Sequence, residues 1–118
     1  MKRFLAVYLG SDEAMARSGW NALSEAERSA RRAQGVAAWG RWVATHRAAI
    51  VDTGAPLGRT KSASPDGIAD TRNALAAYTI VEAESHEAAA RLFADHPHFT
   101  IFPGDSVEIM ECLAIPGA

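Results

Sequence analysis

The second half of the chain constrains the fold most. An Asp66-Gly67 turn leads to a strand pattern over residues 77–82, then a serine-capped helix over 85–95, a break at Pro97 and a closing strand over 107–113. Ser64, Pro65, Asp66 and Gly67 make a tight reversal, because proline presets one backbone angle and glycine accepts the positive φ that a hairpin demands. The strand after it is therefore expected to pair back. Ser85 can accept from the free amides of the second helix, Glu87 complements its positive end, and Ala89, Leu92 and Phe93 supply a buried stripe. Pro97 is expected to stop that helix, and Pro103 with Gly104 to turn the chain into the last strand. There Val107, Ile109 and Leu113 share one face while Met110 and Cys112 look to the other.

The first half supplies the matching pieces. Residues 4–9 (FLAVYL) suit a pleated surface and end in the turn-forming Gly10, Ser11 and Asp12. Ser24 and Glu27 stand at capping-box spacing, which predicts a helix start, and the helix should run to about Ala49. Within it Gly35, Trp39, Trp42, His46 and Ala49 recur at spacings of four and three, beside a second row of Val36, Gly40, Val43, Arg47 and Ile50. The two rows make one wide, largely apolar face. Gly54 and Pro56 should end that segment, and residues 57–64 read as a polar edge strand.

The order is β-α-β-β-α-β, the ferredoxin-like arrangement of the α+β class, in which two helices cover one face of a four-stranded antiparallel sheet. The other face is then left open. Yet Phe4, Ala6 and Tyr8 alternate with Leu5, Val7 and Leu9, so the first strand is apolar on both sides. An open apolar sheet face of several hundred Å² exceeds what most soluble monomers leave in water, and a homodimer is the simplest cover.

Composition narrows the function classes. At 118 residues, 48% hydrophobic and 22% charged with a formal net charge of −2, the chain suits one globular domain over 1–118. Arg28, Arg31, Arg32, Arg41 and Arg47 gather in one segment, but Glu25 and Glu27 sit beside them, so this reads as a solvated helix face and not a nucleic-acid surface. No apolar run approaches the roughly 20 residues needed to span a bilayer. The short apolar run after Lys2 and Arg3 does not make a secretory signal, and the single cysteine, Cys112, cannot form an internal disulfide; both point to the cytoplasm. No Walker loop, dinucleotide fingerprint, nucleophile elbow or zinc-ligand cluster is present, so no cofactor is expected.

The stretch Asp66-Gly67-Ile68-Ala69-Asp70-Thr71-Arg72-Asn73, followed by Ala77-Tyr78-Thr79-Ile80-Val81-Glu82, resembles the signature Asp-Gly-Pro-Phe-Ala-Glu-Thr-Lys-Glu and the following Gly-Tyr strand of YCII-related (DGPF-type) proteins. One residue is missing where Pro-Phe would stand, while acid, Thr and base recur as Asp70, Thr71 and Arg72. Pro97, Gly104 and the strand Val107-Glu108-Ile109 behind an Ala-rich helix also resemble the family's ending. The resemblance implies a dimeric α/β barrel with small clefts between sheet and helices. Family members are mostly of unassigned function; some branches carry a His-Asp pair with the His early in the first long helix, and relatives of the barrel include lactone isomerases and a dehydrochlorinase. Here no His precedes His46, so that pair has no counterpart.

The candidate chemistry lies elsewhere. His96 and His98 flank Pro97, and residues two apart in an extended segment point the same way, so both imidazoles can face one pocket as acid–base groups. The ordinary alternative is that His96 caps helix carbonyls and His98 is merely polar and exposed. A metal would need a third ligand, which only Cys112 or a nearby carboxylate offers, so none is expected. Trp39, Trp42 and His46 on one stripe, with the hydroxyl of Tyr78, can line a cleft for a small aromatic or lactone-like ligand; such a stripe is more often plain core. Arg59 and Lys61 can meet a substrate carboxylate or simply guard a strand edge. Asp66 and Asp70 shape the turn, and Cys112 reads as a small buried apolar group. Two functions follow: a cofactor-independent lyase or isomerase using histidine acid–base catalysis on a small organic molecule, or a non-catalytic module that binds a small ligand or a protein.

Overall fold

A computed structural model describes residues 1–117. Its elements run β1 (Lys2–Leu9), α1 (Asp12–Arg17), a 3-10 turn (Trp20–Ala22), α2 (Glu25–Thr45), β2 (Ile50–Pro56), β3 (Thr60–Ser64), β4 (Gly67–Thr71), β5 (Leu75–Ala83), α3 (His86–Arg91), α4 (Pro97–Thr100) and β6 (Ser106–Glu111). Four strands form one antiparallel sheet in the order β2-β5-β1-β6, and β3 pairs only with β4. The fold is α+β, and the sheet order is that of a ferredoxin-like arrangement with a hairpin inserted between its second and third strands. No helix among the described residues is long and apolar enough to cross a membrane.

Alternation along the strands sets the core. Phe4, Ala6, Tyr8, Val81 and Ala83 point to the helices and pack with Trp42, Ala89 and Phe93. Leu5, Val7, Tyr78, Ile80 and Met110 point the other way and take no part in that cluster. The capping box of α2 forms as expected: Glu27 N donates to Ser24 Oγ at 3.1 Å, and Ser24 N donates to Glu27 Oε1 at 2.9 Å. Ser85 caps α3 from one side only, its Oγ accepting from Ala88 N at 3.1 Å.

Several expectations are corrected. The edge strand of the sheet is Ile50–Pro56, not residues 57–64, and Gly54 and Pro56 lie inside it. Gly54 takes φ 72°, and a Cβ there would run into the Tyr78 carbonyl oxygen; the glycine permits a bulge at a register shift between Asp52 and Ala55. Pro56 is tolerated because it ends an edge strand and interrupts no inner ladder. The turn at Asp66 does reverse the chain, but Gly67–Thr71 pairs back, not residues 77–82. The helix α2 ends at Thr45 with His46 as its C-cap, short of Ala49.

The helix predicted over 85–95 ends at Arg91, and Pro97 opens a new helical turn where it was expected to stop one. Proline suits a first helical position, since its missing N–H would have no partner there. Asp95, in the left-handed region at φ 60°, turns the chain between the two. The closing strand stops at Glu111 and Cys112 is exposed, not buried.

Candidate functional site

The short helix α4 and its N-cap residue carry both candidate histidines inward. His96 is fully buried and His98 nearly so, which corrects the expectation of an exposed His98. His96 is a cap, but of the following helix: its Nδ1 accepts from His98 N at 3.0 Å at the N-terminus of α4. It does not cap the carbonyls of the helix before it. An accepting Nδ1 fixes the neutral tautomer with its proton on Nε2, and Nε2 has no hydrogen-bond partner although it is buried. Aromatic rings surround it instead. Trp39 and Trp42 stand edge-on to the imidazole at centroid distances of 4.5 and 4.7 Å, with Tyr8 at 5.0 Å. Burial in this apolar cage, helped by repulsion from His98 and His46, pushes the His96 pKa down to about 3.

His98 is held differently. Its Nε2 lies 2.7 Å from Leu9 O. A carbonyl can only accept, so Nε2 carries the proton and Nδ1 presents its lone pair. Among the described residues that nitrogen has no hydrogen-bond partner, and it is not sealed from solvent. Burial lowers the His98 pKa; the bond to Leu9 and the Asp105 carboxylate oppose the shift. The imidazole is therefore neutral at physiological pH, the form a general base requires. Gly104 closes over the ring: its N–H donates to His98 O at 3.0 Å, and a Cβ would collide with that oxygen and with the ring's Cε1 and Nε2.

His98 borders a cavity of about 550 Å³ between α2 and the β2/β5 edge of the sheet, with walls that include Trp39, Val43, Ala77 and Phe102. The walls are largely apolar, which suits a small organic molecule of few polar groups. Trp39 and Tyr78 also border this cavity; Trp42, His46 and His96 do not. Tyr78 pairs with Val7, so its side chain alternates to the sheet face away from the helices. Trp42 is core, with its Nε1–H donating to Leu92 O at 2.8 Å, and His46 sits beside it at a ring distance of 5.2 Å.

Sequence reasoning missed Tyr8, Phe102 and Gly104. Tyr8 packs on both histidines. Thr79 Oγ1 donates to Thr53 O at 3.0 Å, so the Tyr8 hydroxyl donates to Thr79 Oγ1 at 2.9 Å. Burial pushes the Tyr8 pKa to about 12, and the phenol keeps its proton. The alternation of β1 did place Tyr8 on the covered face, but nothing in one sequence ties it to residues 90 positions away. Among the described residues no group of three His, Cys, Asp or Glu side chains is arranged to hold a metal ion.

No protein-family model and no characterised protein matches the chain by sequence. By structure it is similar to 5-chloro-2-hydroxyhydroquinone dehydrochlorinase (TftG) from Burkholderia phenoliruptrix AC1100, solved in complex with 2,5-dihydroxybenzoquinone. The TM-score is 0.52 at 16% identity, over 92% of this chain and 90% of that one. The likeness extends over nearly the whole of both chains and shows a shared fold.

Proposed function

We propose that this chain is a YCII-like dimeric barrel that acts on a small organic molecule by acid–base catalysis, as a lyase or isomerase needing no cofactor, with His98 as the general base. The observation that carries the reading is the state of His98. One nitrogen is pinned to Leu9 O, the other offers a lone pair, and the residue borders an apolar cavity. Such a base removes a proton from a carbon or hydroxyl made acidic by a neighbouring carbonyl; the proton, held on Nδ1, is returned at another position in an isomerisation or lost to water after expulsion of a leaving group. Apolar walls strengthen the base–substrate contact. His96 takes no proton at neutral pH and acts by holding α4, and with it His98, in place.

The fold shared with TftG supports a cleft of this kind, and a flat oxygenated ring of the class seen in that complex is the first ligand to try. A second copy of the chain is the proposed partner, seated on the face that bears Leu5, Val7, Ile80 and Met110, and the proposed setting is the cytoplasm. A non-catalytic binding module is the second reading. It is favoured by the absence of any carboxylate among the residues lining the cavity, since a base usually works with a second titratable group.

The test is deuterium exchange from heavy water into enolisable cyclic ketones and hydroxyquinones, followed by NMR, with wild type and His98→Gln. Wild-type exchange lost in a His98→Gln variant that melts normally supports the enzyme. Binding of 2,5-dihydroxybenzoquinone with no exchange supports the module. Neither binding nor exchange, or exchange unchanged in His98→Gln, overturns the reading of this cavity.

A further inference from the structure

The base of the inserted hairpin carries charges that the chain itself leaves unbalanced. In the β3–β4 register Thr60 faces Thr71 and Lys61 faces Asp70; Arg59 and Arg72 directly flank the end of that pairing, one on each chain segment. Like charges held close together at the end of a hairpin repel. The neighbouring pair is balanced, with Lys61 Nζ 2.7 Å from Asp70 Oδ1. Neither arginine makes a salt bridge or a side-chain hydrogen bond among the described residues. Both border a cavity of about 810 Å³, together with Lys61, Asp70, Asn73 and the two threonines. Asn73 Oδ1 already accepts from Leu75 N at 2.9 Å, which leaves the amide's N–H groups available. The surplus is all of donors and positive charge, against one carboxylate that a lysine already holds.

We propose that this hairpin base is an oxyanion site in which Arg59 and Arg72 clamp the carboxylate or phosphate group of a small organic ligand. Charges that only guard a strand edge gain nothing from being held beside one another. Two arginines that border one cavity can bring their guanidinium forks onto the planar, bidentate geometry of an oxyanion, which turns their repulsion into attraction for the ligand. The site shares no lining residue with the cavity of His98, so it stands or falls independently of the proposed acid–base chemistry.

Thermal unfolding of the full chain at low ionic strength tests this, with inorganic phosphate or benzoate as probe and sodium chloride of matched ionic strength as control. Wild type should gain melting temperature saturably with phosphate, benzoate or both, beyond chloride. Arg59→Gln and Arg72→Gln should each weaken that response at least tenfold, and Arg41→Gln, on the exposed side of α2, should keep it. A response to phosphate alone assigns a phosphate group, and one to benzoate alone a carboxylate. Without probe, either variant should melt no lower than wild type, because a repulsion has been removed. A gain matched by chloride, no gain with either probe, an undiminished gain in both variants, or a ligand-free loss of stability in them would overturn the proposal.

Discussion

Burial decides the chemistry of His96 before any substrate is considered. Its folded pKa lies near 3 against an ordinary value near 6.5, so the unfolded chain binds a proton that the native one refuses. The native form is then favoured in full above about pH 6.5, and the advantage drains away as pH falls from there towards 3, by an amount on the order of 3–5 kcal/mol. Urea unfolding midpoints should therefore drop between pH 7 and pH 4.5, and His96→Asn should flatten that drop. Asparagine at this position keeps an oxygen to cap α4. A slope unchanged in His96→Asn would assign the acid sensitivity to other groups. A second prediction concerns Gly104. Since a Cβ there collides with both the His98 carbonyl oxygen and the His98 ring, Gly104→Ala should displace the backbone of α4 and tilt that ring off Leu9 O, lowering the melting temperature and cutting turnover or ligand binding at least tenfold. The pairing of His96 with His98 around Pro97 was legible in the sequence. Their burial was not, because it depends on Tyr8 of β1 and on Trp39 and Trp42 of α2 converging on them from distant parts of the chain.

The long helix α2 shows what one element's pattern can and cannot reveal. Its stripe of Trp39, Trp42 and Val43 at helical spacing was readable, and so was its capped start, because both are local. The stripe's division between core and cavity was not, since it depends on how far the β2/β5 edge stands from the helix. Two of its glycines differ for that reason. A Cβ at Gly40 meets nothing within 4 Å, whereas one at Gly35 strikes the Phe102 ring. Gly40→Ala should stabilise the protein by roughly 0.5–1 kcal/mol through helix propensity. Gly35→Ala should instead destabilise it by roughly 1–3 kcal/mol as Phe102 is displaced. Denaturant melts of the pair check the sign of each change. Trp42→Ala should lose roughly 3–5 kcal/mol, as truncation of a buried aromatic does, and Arg41→Ala, on the exposed side, should stay within about 0.5 kcal/mol of wild type. The strand over 57–64 was misread because its weak alternation belongs to a hairpin exposed on both faces; a period-two signal needs one buried side.

Across the whole molecule, the element order sufficed to name the ferredoxin-like arrangement, since a capped helix between strands leaves few right-handed, unknotted ways to arrange them, but it put the second strand at 57–64 where the sheet uses Ile50–Pro56. The inserted hairpin escaped notice because its pairing is set by a turn and not by a core. The face with Leu5, Val7, Ile80 and Met110 leads to a prediction at this scale: light scattering at micromolar concentration should give twice the chain mass, and Ile80→Asp should halve it. A wild-type monomer with a well-folded spectrum would remove the dimer. The hairpin has its own consequence. Residues 61–76 are all exposed, and β3 and β4 pack chiefly on each other, so local opening there costs far less than global unfolding. Trypsin should accordingly cut first after Arg59, Lys61 or Arg72, and the two fragments should stay associated through the β1–β5 and β1–β6 ladders. The tip of this hairpin, between Pro65 and Asp66, is where a reporter peptide or new chain termini can be introduced without disturbing the histidines beneath α2.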